Sequence, residues 1–347
     1  MTATVSSAAV PRAASAPSPS KARSWLHWMG RNPSALTLLL IVLVSLAVGI
    51  VNPSFFQLPV LFDILRACTV LGLFALGVLI VLAAGGIDVS FAAIAALTMY
   101  GITKLVLTHF PDTSIALILI AGCAGGTALG ALNGLMVHWL KAPSLIVTIG
   151  TQYLYRGILL TFVGTVFFMN VPASMDAFGK LALWRHDTPE GLHSVLPLTF
   201  LVLILAAGLT WWLLNRTLVG RAVYAIGGSL TIAERLGYNL RTVHVFVFAY
   251  AGLLSGLAGI VHVSSTRLAN PFDLVGSELD VIAAVILGGA RITGGSGTVG
   301  GTLLGVLLVT LINNVLILAG VPSTWQKVII GAFILLAGTC FAWRKSN

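Results

Sequence analysis

The residues of this chain able to do chemistry are few, and they stand where charge is costly. Glu278 and Asp280 open an apolar run that ends at Gly288-Gly289, ahead of a loop of Gly, Thr and Ser containing Arg291. Asp88 and Ser90 follow a second such break, Gly85-Gly86. Asn133, Gln152, Arg156 and the pair Asn313-Asn314 lie inside other apolar runs. None of them has the pattern of a nucleophile–base–acid triad or of a metal-ligand set. Gly294-Gly295-Ser296-Gly297 lacks the lysine with which a phosphate-binding loop reaches a nucleotide. The chemistry that remains is non-covalent. Polar groups inside apolar segments mark paths for solutes or ions, or bond one helix to the next. Broken apolar segments are found where a membrane protein lines a path rather than only spanning lipid.

The surrounding elements have to suit lipid. The chain has 347 residues, of which 58% are hydrophobic and 8% charged, and its mean hydropathy is +1.01. A soluble surface needs about 25% charged residues, so lipid is the main solvent and the backbone must satisfy itself within helices or a closed barrel. The apolar runs do not alternate and are about 17–25 residues long, which selects helices. The net charge of +9 reads as the basic bias of cytoplasmic loops rather than as a nucleic-acid surface. Cys68, Cys123 and Cys340 lie in apolar runs without pairing or metal spacing.

The predicted fold is all-α and polytopic, with about ten transmembrane helices, some short or broken. Apolar segments fall near 35–51, 61–84, 88–108, 114–138, 145–168, 195–214, 243–263, 277–290, 298–319 and 323–342. Residues 1–34 read as a disordered basic cytoplasmic tail, and 35–347 as a single transmembrane domain. With both ends inside, the cytoplasmic regions hold Arg12, Lys21, Arg23, Arg31, Lys141, Arg216, Arg221, Arg235, Arg241, Arg291, Arg344 and Lys345. The outer loops hold Lys180, Arg185 and Arg267. This asymmetry sets the orientation and places Glu278 and Asp280 at the outer entry of the eighth segment. Gly122, Gly126, Gly130 and Gly134 line one face of the fourth segment, and Gly252/Gly256 and Gly301/Gly305 repeat the spacing. Small residues so spaced let helices approach closely.

The loop at about 215–242 is the longest polar cytoplasmic stretch after the tail. Within it, Thr231, Ile232, Ala233, Glu234, Arg235, Leu236 and Gly237 predict a short helix. Thr231 and Glu234 have capping-box spacing, Gly237 is a natural stop, and Ile232, Ala233 and Leu236 form an apolar stripe. A helix this short needs something to pack on: another subunit, or this protein's own helix ends.

Several of these motifs resemble one family. Glu278-Leu279-Asp280-Val281-Ile282-Ala283-Ala284-Val285-Ile286-Leu287-Gly288-Gly289 is similar to a run of bacterial ABC sugar permeases of the ribose type. Thr293 to Gly297, Gly301-Thr302, Asn313-Asn314, Gly86-Ile87-Asp88-Val89-Ser90 and Ala225-Ile226-Gly227-Gly228 fit the same pattern, in order, over about 55–342. Phe91, Ala92, Ser229 and Tyr238 depart from it. The resemblance implies a type II ABC importer-like fold and a second permease, identical or a sister. It also implies a cytoplasmic ATPase subunit that binds ATP and Mg, an external sugar-binding protein, and no cofactor on this chain. The loop helix at Thr231–Gly237 would then couple to the ATPase. For Asp88 two roles stand open, capping the next helix or contacting sugar. Asn133, Gln152, Asn313 and Asn314 either bond helices together or line the path, and Arg156 either pairs with a carboxylate or meets the sister subunit. An ion-coupled secondary transporter is the alternative; the scarcity of intramembrane acids weighs against it.

Overall fold

A computed structural model describes residues 33–187 and 193–318, with Pro322, Trp325, Val328, Gly331 and Ala332 beyond them. Most of the expected tail and of the tenth segment, with Arg344 and Lys345, lies outside the described residues. Twelve helices and one hairpin follow in order: α1 Pro33–Val51, α2 Leu58–Ala83, α3 Phe91–His109, α4 Ile115–Leu140, α5 Ser144–Ile158, α6 Ala173–Lys180, β1 Ala182–Asp187, β2 His193–Pro197, α7 Thr199–Arg216, α8 Leu218–Gly228, α9 Leu230–Arg235, α10 Leu240–Thr266, α11 Glu278–Leu287 and α12 Val299–Leu318. A π-turn, Leu159–Val163, extends α5. Six helices are long and apolar enough to cross a membrane: α2, α3, α4, α5 with its π-turn, α7 and α10.

α2 and α10 form the centre. From Leu73 to Ala83 the side chains of α2 are buried on every side, as expected of an apolar helix inside a bundle. α10 packs against α4 along the glycines that the sequence singled out. A Cβ at Gly126 would fall 2.1 Å from the Gly252 carbonyl oxygen, so only glycine admits this approach. Gly301 and Gly305 play the same part against Gly288 and Ala284 of α11.

The two Gly-Gly breaks lie at one end of the bundle, here termed the turn face. Gly85 (φ 82°) and Gly289 (φ 98°) both take left-handed backbone, which favours glycine. At the opposite end, the hairpin face, β1 and β2 pair antiparallel with a register shift between Ala182 and Trp184. The all-α expectation missed this hairpin because its residues, Trp184, Arg185 and His186 among them, carry no clean alternation. The sixth segment was placed from 195, but β2 runs to Pro197 and the helix starts at Thr199.

The eighth segment also differs from expectation. α11 has 10 residues, about 15 Å, half of a hydrocarbon core of about 30 Å. The chain instead leaves α10 at the hairpin face and descends as irregular backbone through residues 267–277 before α11 begins. Such backbone is tolerated at membrane depth only where protein or a cavity shields it. Asp273 holds this stretch together, bonded to His262 at 3.1 Å and to Asn270 Nδ2 at 2.7 Å.

Candidate functional site

Helix α5 joins two polar clusters. Its N-terminal residues meet the stretch between α2 and α3, which runs as irregular backbone from Gly86 to Ser90 rather than as a simple turn between spans. The Ile87 amide donates to Ser144 Oγ (2.8 Å), and Val89 N to Thr148 Oγ1 (3.3 Å). Residues 144 and 148 are one helical turn apart, so this stretch follows α5 and delivers Ser90 into the bundle. There Asp88 Oδ1 accepts from Ser90 N (2.7 Å) and Ser90 Oγ (2.6 Å). Ser90 Oγ in turn accepts from Asn133 Nδ2 (2.7 Å). The Tyr155 hydroxyl lies 2.8 Å from Asn133 Oδ1 and 3.0 Å from the Leu129 carbonyl. The Asn133 amide and the Ser90 hydroxyl thus relay toward the Asp88 carboxylate, at the positive N-terminus of α3.

Asp88, Ser90 and Asn133 are each at most 1% exposed. Their bonds satisfy one another and tie α3, α4 and α5 together. Asp88 closes a turn onto Ser90 just ahead of α3 and, among the described residues, accepts from no amide of the helix itself, and Asn133 bonds between helices. Sequence reading does not single out Ser144, Thr148 or Tyr155 as bonding residues. The signal was available in Ser144, Thr148, Thr151 and Tyr155, which share one face of α5 at helical spacing.

The second cluster lies between α5 and α11. Gln152 Nε2 donates to Glu278 Oε1 at 2.9 Å, and Glu278 is buried at 7% exposure. Gln152 is two turns into α5, about 12 Å from its start, and α11 rises about 15 Å from the turn face. Both estimates put Glu278 near mid-depth and correct its expected place at the outer entry. The reason is the shortness of α11, with the irregular stretch supplying the rest of the crossing. Arg156, one turn beyond Gln152, interacts electrostatically with Glu278. Its Nε and Nη2 are buried without hydrogen-bond partners. Asp280, half-buried, is on the same first turn of α11 and has a partner of its own. Asn314 returns its amide to the Thr310 carbonyl of its own helix (2.8 Å). No hydrogen bond among the described residues joins Asn313 or Asn314 to this cluster.

At the turn face three glycine-rich segments meet. Gly295 N donates to the Ala83 carbonyl at 3.0 Å, and Gly227, near the end of α8, sits against both. Tyr224 of α8 donates to the Gly297 carbonyl at 2.8 Å, and burial raises its hydroxyl pKa above the ordinary value. The first helix break and the loop that follows the second are therefore in contact with the segment leading to α9. α9 spans Leu230–Arg235, shorter than the expected Thr231–Gly237. Its cap is Ser229, whose Oγ accepts from Ile232 N at 3.4 Å, rather than Thr231. The expected stripe is divided: Ala233 is buried, while Ile232 and Leu236 are 59% and 69% exposed. Gly237 ends the segment with φ 84°.

Residues 60–338 match the family model described as branched-chain amino acid transport system / permease component. The chain is 32% identical to ribose import permease protein RbsC of Escherichia coli (strain K12) over 311 residues, 89% of this chain and 93% of that one. It is 33% identical to the Haemophilus influenzae protein of the same name, over 86% of this chain and 89% of that one. Identity to autoinducer 2 import system permease protein LsrC of Yersinia pestis (strain Pestoides F) is 31%, over 89% of this chain and 85% of that one. No solved structure matches. With its six spanning helices, its half-length helix and a family match over most of its length, this chain belongs to the family of branched-chain amino acid transport system / permease components.

Proposed function

We propose that this chain is the membrane-spanning permease subunit of an ABC importer for a monosaccharide or related polyol. Its relatives named for ribose and autoinducer 2 support a sugar-like solute; the family description alone would also admit amino acids. The observation that carries the reading is α11. A half-length helix brings Glu278 to mid-depth against Gln152, with the unpartnered nitrogens of Arg156 beside them. Arg156 and Gln152 can donate to hydroxyl oxygens and Glu278 can accept from hydroxyls, and this set suits a neutral polyol. In this reading the path runs by Gln152, Arg156, Glu278 and Asp280, while Asp88, Ser90 and Asn133 hold the helices that frame it.

The chain hydrolyses nothing itself. A partner ATPase binds ATP and Mg and docks at α9, where Ile232 and Leu236 project from a helix too short to stand alone. An external binding protein delivers the solute, and a second permease, identical or a sister, completes the path. The orientation follows charge. Lys141, Arg216, Arg221, Arg235, Arg241 and Arg291 lie on the turn face, with Arg241 over Trp139 and Arg216 over Trp211 as interfacial anchors. This bias supports a cytoplasmic turn face, in a bacterial inner membrane. Alternating access then requires that nucleotide state and binding-protein docking favour different conformations.

The experiment is co-purification of the ATPase with permease carrying Ile232→Asp and Leu236→Asp. The expected result is loss of the ATPase from an otherwise folded permease. Unchanged assembly and unchanged transport would refute the docking role of α9.

A further inference from the structure

The hairpin face carries a basic cavity outside the path described above. A cavity of about 390 Å³ lies between α2, the end of α6, the two hairpin strands and the end of α10. Arg66, Lys180, Arg185 and Arg267 line it, each from a different part of the fold, and no acidic residue does. Asp63 lies 3.7 Å from Arg66, and Asp176 pairs with both Lys180 and Arg267. Among the described residues, these two carboxylates answer four cations, which leaves the site positive. The remaining wall is largely apolar, formed by Leu181, Val195 and Pro197.

Depth identifies the ligand. Arg66 is seventeen residues from Ala83 at the turn face, about 25 Å along α2. Against a core of about 30 Å, the cavity stands at the headgroup boundary. Beside it the hairpin exposes Trp184 (63%) and Leu183 (45%), an amphipathic fringe of the kind that anchors proteins at that boundary. A free anion or an acidic protein loop would use the cations and leave the apolar wall unused. A phospholipid uses both.

We propose that this cavity binds the headgroup of an anionic phospholipid, with its phosphodiester on Arg66 and Arg185 and its glycerol and upper acyl segments against Leu181, Val195 and Pro197. Basic residues near an anionic lipid surface each contribute about fivefold in affinity, so removing two of them lowers retention about 30-fold.

The test is native mass spectrometry of the full-length permease with phosphatidylglycerol, phosphatidylcholine or inorganic phosphate. Wild-type protein should retain phosphatidylglycerol over phosphatidylcholine, and millimolar inorganic phosphate should not displace it. Arg66→Gln with Arg185→Gln should abolish the preference, while Arg66→Lys with Arg185→Lys, which keeps both charges, should restore it. Equal retention of the two lipids would overturn the proposal, as would displacement by inorganic phosphate, which would indicate a solution anion. So would a glutamine double variant that keeps its lipid preference and instead loses an acidic external protein partner.

Discussion

Gly227 and Gly228 are adjacent, chemically identical and predicted to respond in opposite ways. A Cβ at Gly227 would lie 1.9 Å from the Ala83 carbonyl oxygen and 2.6 Å from Gly295 N. A carbon approaches a carbonyl oxygen to about 3.3 Å, so Gly227→Ala must displace the Ala83–Gly295 contact by about 1.4 Å. Both neighbouring atoms are backbone, and no side chain can swing aside. Overpacking of this kind costs about 1–3 kcal/mol, and loss of the 3.0 Å Gly295–Ala83 hydrogen bond adds about 1 kcal/mol. The sum is about 2–4 kcal/mol, placed where the first helix break and the loop after the second meet the segment leading to α9. A Cβ at Gly228 meets nothing within 4 Å, so Gly228→Ala should be neutral. The assay is thermal unfolding of each purified complex, together with stimulation of its ATPase by solute-loaded binding protein. Gly227→Ala should melt several degrees lower and lose stimulation, and Gly228→Ala should match wild type. If the two variants behave alike, the three-way contact does not carry coupling.

Further outcomes follow from the same geometry. Asn133→Ala removes the donor to Ser90 and the acceptor near Tyr155 in a fully buried site; it should cost about 2–4 kcal/mol of stability, read by thermal unfolding, with Tyr155→Phe costing less because it leaves the Asn133–Ser90–Asp88 bonds in place. Glu278→Ala should reduce solute uptake by about tenfold or more while assembly with the ATPase persists, because a buried acceptor at the path is lost; normal uptake would move the path away from α11. Gly126→Val should prevent closure of α4 on α10, since the 2.1 Å approach to the Gly252 carbonyl cannot be relieved by a rotamer change, and folded yield should collapse.

The helix order, the glycine contacts and the short helix α9 were legible in the sequence because each rests on a local pattern. Apolar length gives spans, four-residue glycine spacing gives close faces, and a glycine after a short amphipathic run gives a stop. Depth was not legible. Charge asymmetry points Glu278 away from Arg291 but carries no measure of how far the segment reaches, and only the ten-residue length of α11 sets Glu278 about 15 Å from the turn face. Partnership was half legible. Gln152 and Arg156 were singled out as buried polar residues, but that Gln152 would meet Glu278, 126 residues on, depends on packing that no local pattern encodes. Ser229 capped α9 in place of Thr231 because the cap is decided by where the backbone leaves extended geometry, at Ser229 φ −165° and ψ 114°, and both residues have suitable hydroxyls. The hairpin was missed because strand propensity in five- and six-residue pieces is weak beside the tertiary contacts that select them.

The central claim is that this chain conducts a polyol only when driven through partners. The most direct measurement is uptake of radiolabelled sugar into proteoliposomes containing the permease, with the ATPase, the binding protein, internal ATP and an ion gradient each supplied or withheld. Uptake should require permease, ATPase, binding protein and ATP together and be indifferent to the ion gradient. Uptake by the permease alone, driven by an ion gradient without ATP, would contradict the account.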